Sequence, residues 1–241
     1  MALPFITREE DFDGSLEIKR VLDKLSETGF GGVLVRNLEQ LGYLKDAGYT
    51  GNVVTDYGVY AWNKEAALEL IDLNNADGGY RIEEITVPYE LNYKEAGQMP
   101  GALHRVAPVP VAYNIYGHIP MMVSAGCIGK TTKGCSGHLH ELHSESISVV
   151  DRMGNNMPVT LNCRHCYNVI WNALPTSLHG SLTRITDDGS FDHYRIDFTV
   201  ESGKRTRQVL DYYLELLRGE APEDIFGKSG FTTGHYKRGV E

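Results

Sequence analysis

The first half of the chain alternates between buried strands and amphipathic helices, and this order limits the folds open to it. Strands are predicted over residues 3–7, 32–37, 52–58, 84–91 and 109–116. The helices predicted between them include residues 38–47 and 64–73, and Asn37, Asn63 and Asn92 are suited to cap helices. Such an order is typical of a parallel sheet wrapped by helices. It favours an α/β fold of the (β/α)8 TIM-barrel type.

The alternation stops after Gly117. Residues 127–152 are predicted to form a polar insertion without helical period, within a single domain that covers residues 1–241. Strands follow at residues 157–162 and 169–178, and a helix at 207–217. Between them, apolar residues at 194, 196, 198 and 200 alternate with the polar Arg195, Asp197, Thr199 and Glu201, which predicts a half-buried strand.

All four cysteines lie in one part of the chain, at Cys127, Cys135, Cys163 and Cys166. Two close pairs with no other cysteine suggest one tetrathiolate site, for Zn²⁺ or for a [4Fe–4S] cluster. Seven residues separate the two cysteines of the first pair. This spacing is looser than that of a zinc knuckle and favours a cluster. Three histidines of the insertion, His138, His140 and His143, could replace a thiolate. A zinc site is therefore the alternative to a cluster. Buried thiols without a metal are the simpler alternative.

Polar side chains collect near the ends of the predicted strands, where the active sites of barrel enzymes lie. The candidates for catalysis are Asp56, Glu90 and His118, and those for substrate binding are Arg36, Tyr116, Arg195 and Asp197. Arginine offers a planar fork that matches a carboxylate, so an anionic small molecule is the expected ligand. Each residue also has a structural alternative. The simplest is a surface ion pair between Arg195 and Asp197.

Composition narrows the class of protein. A hydrophobic fraction of 41% and a charged fraction of 23% are those of a globular protein. No apolar run approaches the ~20 residues needed to span a bilayer. The formal charge of −9 argues against binding nucleic acid by bulk electrostatics, although a nucleic-acid substrate stays open. Nothing at the N-terminus looks like a secretory signal, and a cytoplasmic location is expected.

Several short stretches give the chain a resemblance to the collagenase-like U32 peptidase family: Glu90-Leu91-Asn92, residues 116–123, Asp151-Arg152, residues 195–199 and Thr233-Gly234-His235. The resemblance implies a barrel fold. It also implies a [4Fe–4S] cluster on the four cysteines, because several members are iron–sulfur proteins. Those members take part in oxygen-independent hydroxylation of RNA bases or of a quinone precursor, some with prephenate as hydroxyl donor. Other members carry only the peptidase label.

The chain departs from the family in one respect. Family barrels open with an alanine-rich strand that ends in a Gly-Ala-Asp stretch, and no such stretch precedes Leu3. We therefore expect a barrel that lacks its first βα unit, as the C-terminal part of a longer protein, with a missing N-terminal segment or a partner chain.

Three functions follow from these observations. An iron–sulfur enzyme, acting on an RNA base or a small aromatic molecule, is the preferred interpretation. A peptidase is the second, although the chain has neither a Gly-x-Ser-x-Gly elbow nor a His-Glu-x-x-His helix. A zinc-stabilised binding domain without catalysis is the third.

Overall fold

The computed structural model describes residues 1–7, 22–25, 27–75, 79–135, 147–163 and 165–239. The chain divides into two compact units. The first unit comprises Met1–Asn114, Ile185–Arg195 and His235–Glu241, and the second comprises Ile115–Arg184 and Ile196–Gly234. None of the helices within the described residues is both long enough and apolar enough to cross a bilayer.

The first unit is built on parallel strands that alternate with helices. In chain order these are β1 (Gly32–Val35), α1 (Leu38–Asp46), β2 (Asn52–Thr55), α2 (Lys64–Asn75), β3 (Arg81–Thr86), α3 (Tyr93–Ala96), α4 (Gln98–Leu103) and β4 (Val111–Gly117). The neighbouring strands from β1 to β4 pair in parallel. With β10 (His193–Asp197) beside β4, they form a curled sheet like half of a barrel. The predicted α/β class is therefore confirmed.

Residues that the sequence marks as strand interiors and helix caps take those positions. Val33, Val35, Val53 and Ile85 are almost completely buried. Asn37 Oδ1 accepts a hydrogen bond from the Gln40 backbone at 3.0 Å, which caps α1. Asn92 and Glu95 form a reciprocal capping box at the start of α3. These caps satisfy N–H groups that a helix start leaves without a partner.

The predicted strand over residues 3–7 is shorter in the structure. Only an isolated bridge joins Ala2 to Leu34, with the Leu3 backbone donating to Leu34 O. Beyond Leu3, the Pro4 carbonyl accepts from Gln40 Nε2 at 2.7 Å and the Phe5 carbonyl accepts from Asn37 Nδ2 at 3.2 Å.

The sequence also predicts a helix that carries Ile18, Val21, Leu22 and Leu25 and stops at Gly29. Residues 22–25 and 27–28 are helical, whereas residues 8–21 and 26 lie outside the described residues.

The second unit contains an antiparallel sheet of four strands in the order β5-β8-β7-β6. Its elements are β5 (Pro120–Ser124), α5 (Ile128–Lys133), β6 (Ile147–Val150), β7 (Asn156–Asn162), β8 (Tyr167–Trp171), β9 (Thr176–Ser177), the start of α6 (Leu182–Asp188) and α7 (Gly203–Leu217). The end of β4 pairs with β9 within this unit. Strands β4 and β10 and helix α6 contribute residues to both units.

Two expectations for this part of the chain are wrong. The insertion is not without regular structure, because it holds α5 and β6, while residues 136–146 lie outside the described residues. The strand predicted over 169–178 is two strands, β8 and β9. Strand β8 pairs with β5 and β7, whereas β9 pairs with β4, so the chain passes from one sheet to another between them.

Candidate functional site

Three charged residues meet in the first unit, and we call them the Arg–Asp–Arg cluster: Arg36, Asp56 and Arg195. Arg195 Nη1 lies 2.9 Å from Asp56 Oδ1, and Arg36 Nε lies 3.6 Å from Asp56 Oδ2. The Asp56 side chain is 1% exposed, against 21% for Arg36 and 18% for Arg195. Two cations thus share one buried anion, so the cluster carries one excess positive charge.

Strand ends explain why these residues meet. Arg36 follows β1 directly, Asp56 follows β2, and Arg195 lies in β10. The Arg36 guanidinium also stacks on Phe5, whose ring centroid is 4.0 Å from the guanidinium carbon. Asp56 is fixed further by the Tyr57 backbone, which donates to its Oδ1 at 2.9 Å. The predicted convergence of these three residues is found in the structure, and Arg195 pairs with Asp56.

Two polar residues of the same sheet are not among those predicted from the sequence. Thr86, the last residue of β3, accepts a hydrogen bond from Arg195 Nη1 at 3.3 Å. Asn114 in β4 is 4% exposed, and neither atom of its amide makes a hydrogen bond with the described residues. A single amide within the otherwise apolar run Val-Ala-Tyr-Asn-Ile-Tyr is the sequence signal that could have revealed it.

Glu90 lies beside Tyr60 in the first unit. The pKa of the Tyr60 phenol is raised, first by burial and then by the negative charge of Glu90. Tyr60 itself has a left-handed backbone, with φ of 58°, and follows the short 3-10 turn that begins after Asp56.

In the second unit, Tyr116 and His118 converge on the carboxylate of Glu201, a residue that the sequence pattern assigns to a polar strand face. The Tyr116 hydroxyl donates to Glu201 Oε1 at 2.8 Å, and His118 Nε2 lies 3.7 Å from the same oxygen. The backbone of Thr199 donates to Glu201 Oε2 at 2.8 Å. The Glu201 side chain is only 3% exposed. Burial and then the contact with Glu201 raise the pKa of the Tyr116 phenol.

The tautomer of His118 follows from its second contact. Its Nδ1 lies 2.7 Å from the Asn172 carbonyl oxygen. A carbonyl oxygen only accepts, so Nδ1 carries a proton and Nε2 is the nitrogen turned towards Glu201.

Asp197, the last residue of β10, packs its backbone oxygen against Gly117, where a Cβ atom would lie 3.0 Å from that oxygen. Gly117 therefore permits a close approach of two chain segments.

Cys163 and Cys166 bound the tip of the β7–β8 hairpin. Asn162 and Tyr167 are paired at the ends of the strands, and the Asn162 amide donates to the Tyr167 hydroxyl at 3.0 Å. Cys166 takes a left-handed backbone with φ of 50°, which is uncommon for a residue with a side chain. The tight turn brings the two cysteines to one end of the small sheet.

Asn168 links the loop of the first cysteine to β8. Its Nδ2 donates to Gly126 O at 2.8 Å, and its Oδ1 accepts from the Ile128 backbone at 2.8 Å. These two contacts flank Cys127, and Asn168 is completely buried. Cys135 is buried as well, and it follows Gly134, whose φ of 66° ends helix α5. One side chain of β8 thus ties Cys127 to the strand that follows Cys166.

All four cysteines are free thiols. The pKa of the Cys163 thiol is raised by burial and then by Cys127, Cys135 and Cys166. In the part of the chain that the structure describes, no three His, Cys, Asp or Glu side chains are placed to share one metal ion. Cys127, Cys135 and Cys166 thus lie close enough to Cys163 to influence its pKa. The histidines of the insertion lie outside the described residues.

A serine–histidine contact bears on the peptidase interpretation. Ser177 Oγ lies 2.8 Å from His179 Nδ1, and His179 Nε2 lies 3.8 Å from Asp224 Oδ1. This order of groups is that of a hydrolytic triad. However, Ser177 is 1% exposed, and its hydroxyl also contacts the Tyr213 hydroxyl at 2.8 Å. A substrate carbonyl has no access to a serine buried in this way, so the contact is structural.

Comparisons of the chain with protein-family models, with curated proteins and with solved structures found no match. Function is therefore inferred from the side chains described above: the Arg–Asp–Arg cluster in one unit, and the cysteines with the Tyr116–Glu201–His118 group in the other.

Proposed function

We propose that this chain is an iron–sulfur protein of the U32 type, in which Cys127, Cys135, Cys163 and Cys166 hold one [4Fe–4S] cluster. Its proposed activity is the oxygen-independent hydroxylation of an RNA base or a small aromatic molecule, with an anionic small molecule such as prephenate bound by the Arg–Asp–Arg cluster. A (β/α)8 TIM-barrel-like fold that lacks its first βα unit belongs to the same proposal, since the parallel half-barrel is compatible with it.

The observation that carries this proposal is the position of the four thiols in one unit. The hairpin tip holds Cys163 and Cys166 at one end of the small sheet, and Asn168 bonds on both sides of Cys127. The other three cysteines contribute to the raised pKa of the Cys163 thiol, which supports the same grouping. Seven residues separate Cys127 from Cys135, a looser spacing than that of a zinc knuckle, so a cluster is preferred to a single ion.

Such a cluster supplies one-electron chemistry when it is bound. The chain's own residues have other roles in the proposal. Arg36 and Arg195 bind a carboxylate, and Asp56 fixes the direction of both guanidinium groups. Glu90 acts as an orienting or proton-accepting group. His118 moves a proton at Nε2, because its Nδ1 proton is committed to the Asn172 carbonyl. Tyr116 and Asp197 were predicted to bind substrate, and Tyr116 is proposed to act by holding Glu201.

Purification without oxygen, followed by iron, sulfide and zinc analysis, tests the proposal. We expect a brown protein with about four iron and four sulfide per chain. Changing any one of the four cysteines to serine is expected to remove most of the iron. Stoichiometric zinc without sulfide would instead identify the zinc-stabilised binding domain.

The peptidase alternative has a separate test. The protein is incubated with an unfolded polypeptide, and the Ser177→Ala variant serves as a comparison. Cleavage that is lost in Ser177→Ala would establish a serine hydrolase and contradict the structural role given to this serine. We expect no cleavage by either protein.

A further inference from the structure

The two arginines of the Arg–Asp–Arg cluster are held in different ways. Arg195 Nη1 donates to Asp56 Oδ1 at 2.9 Å and to Thr86 at 3.3 Å. Arg36 Nε lies 3.6 Å from Asp56 Oδ2, which is longer than a hydrogen bond, and this nitrogen makes none with the described residues. Charge thus attracts Arg36 to Asp56, but no hydrogen bond between them fixes the direction of the guanidinium.

The ring of Phe5 restrains the Arg36 guanidinium from its face. The ring centroid lies 4.0 Å from the guanidinium carbon, which is within the range of a cation–π contact. The N–H groups of a guanidinium lie in its plane, so a contact at the face leaves them available at the edge. These N–H groups are the ones that pair with the two oxygens of a carboxylate. The contact with Phe5 therefore restrains Arg36 and keeps its binding edge available.

Phe5 lies outside the strands and is held by side chains at the start of α1. Gln40 is completely buried, and its Nε2 donates to Pro4 O at 2.7 Å. The Oε1 of the same amide accepts from the Arg36 backbone at 2.7 Å. Asn37 Nδ2 donates to Phe5 O at 3.2 Å. Hydrogen bonds from α1 thus tie the chain at Phe5 to the backbone of Arg36, which brings ring and guanidinium together.

We propose that Phe5 is a positioning residue of the anion site, an inference that rests on the anion site proposed above. The ring acts through Arg36, because it favours the conformer in which the guanidinium edge faces the ligand. Without the ring, Arg36 can turn onto Asp56 and form the hydrogen bond that the two residues lack. The ligand then binds only the fraction of molecules in which Arg36 faces it, so its apparent affinity falls by that fraction.

Titration of the intact protein with prephenate tests the inference. Phe5→Leu keeps an apolar side chain but removes the π face, and it is expected to bind about fivefold more weakly than wild type, which is within the range of one cation–π contact. Phe5→Tyr keeps the ring face and is expected to bind within about twofold of wild type. Phe30→Leu is the matched control, since Phe30 is 58% exposed, and its affinity is expected to equal that of wild type. Equal affinity in Phe5→Leu and wild type would overturn the inference.

A double-mutant cycle determines whether Phe5 acts through Arg36. In Arg36→Gln the cation is removed but Arg195 remains, so binding is weaker and is titrated at higher prephenate concentrations. In this background Phe5→Leu is expected to change the affinity by less than about twofold, because the contact that it removes no longer exists. A fivefold effect that persists without Arg36 would give Phe5 a different role and overturn the inference.

The remaining outcomes separate the positioning role from the anion site and from folding. If wild type does not bind prephenate, the anion site fails and the role of Phe5 fails with it. If Arg36→Gln binds as tightly as wild type, a site at Arg195 stands and the role of Phe5 is overturned. Phe5→Leu and Phe5→Tyr are expected to melt within about 4 °C of wild type. If both melt much lower and both bind weakly, the ring serves the fold, which also overturns the inference.

Discussion

Arg195 and Asp56 are 139 residues apart in the chain, yet Arg195 Nη1 lies 2.9 Å from Asp56 Oδ1. The same nitrogen donates to Thr86, so one guanidinium joins strands β3 and β10 to the end of β2. Lysine has a single ammonium on a flexible stem and lacks the planar fork.

We therefore expect Arg195→Lys to bind prephenate about tenfold more weakly or worse, because a charge-assisted hydrogen bond contributes about 1.5–3 kcal/mol. Titration with prephenate of protein that carries its iron–sulfur cluster measures this affinity. Arg207→Lys is the control, since Arg207 is exposed and pairs with the exposed Asp211 one helical turn on. Equal affinity in wild type and Arg195→Lys would remove Arg195 from the site.

Removing the Tyr116 hydroxyl should lower the stability of the protein, because Glu201 is buried and would lose a hydrogen-bond donor. Tyr116→Phe takes away the donor at 2.8 Å from Oε1, and the buried carboxylate loses part of its compensation. We expect the free energy of unfolding to fall by about 1–3 kcal/mol. Tyr43→Phe, which removes an exposed bond to Glu39, should change it by less than about 0.5 kcal/mol. Denaturant titration compares the two, and similar small effects would contradict the role given to Tyr116.

Asn168→Ala should weaken the cysteine site without changing a cysteine. The substitution frees the loop around Cys127 from β8, because it removes the bonds to Gly126 and Ile128. Iron per chain after anaerobic purification is expected to fall at least twofold. Asn156→Ala is the matched control, since Asn156 is exposed at the start of β7. Unchanged iron content in Asn168→Ala would show that the loop keeps its place without this amide.

The metal-free protein should show a pH dependence at Cys163. Its thiol pKa is raised, so the thiolate fraction at pH 8 is lower than in an exposed thiol. Alkylation by iodoacetamide at Cys163, followed by mass spectrometry, should be slower than for a free cysteine and should accelerate as the pH rises. The folded protein prefers the protonated thiol, so this group's stabilising contribution is present at neutral pH and is lost in alkaline solution. Alkylation as fast as that of free cysteine would contradict this.

His179 should make the protein less stable in acid. Burial lowers the pKa of its imidazole, with an opposing effect from Asp224. The neutral form is thus preferred in the folded state, and its contribution is complete above about pH 6.5 and lost as the pH falls through the lowered value. Thermal melting between pH 5 and 8 should show this loss. His179→Phe, which retains an aromatic ring beside Phe226, should flatten the dependence on the acid side.

Local signals predicted much of the first unit. The caps at Asn37 and Asn92 follow from side-chain chemistry within four residues, and the meeting of Arg36, Asp56 and Arg195 follows from parallel strands that end at one edge. Glu201 was assigned to a polar strand face because the two-residue alternation was continued to it. The strand ends at Asp197, so that alternation does not govern Glu201, and its burial depends on Tyr116, which is 85 residues away.

The insertion was misassigned for a related reason. Helix α5 has only six residues, which is too short for an apolar stripe to repeat, and it contains two β-branched threonines. Its position depends on Asn168, which is 40 residues from Ile128 in the chain. No window of sequence contains both.

The chain has two tryptophans, and each unit contains one of them. Trp62 in the first unit is 44% exposed, whereas Trp171 in the second is 4% exposed and donates from its indole nitrogen to Thr160 Oγ1 at 2.9 Å. A solvated indole emits at longer wavelength than a buried one, and only the solvated indole is readily quenched by iodide. The unmodified protein thus carries two separable optical reporters, through which the melting of each unit can be followed on its own.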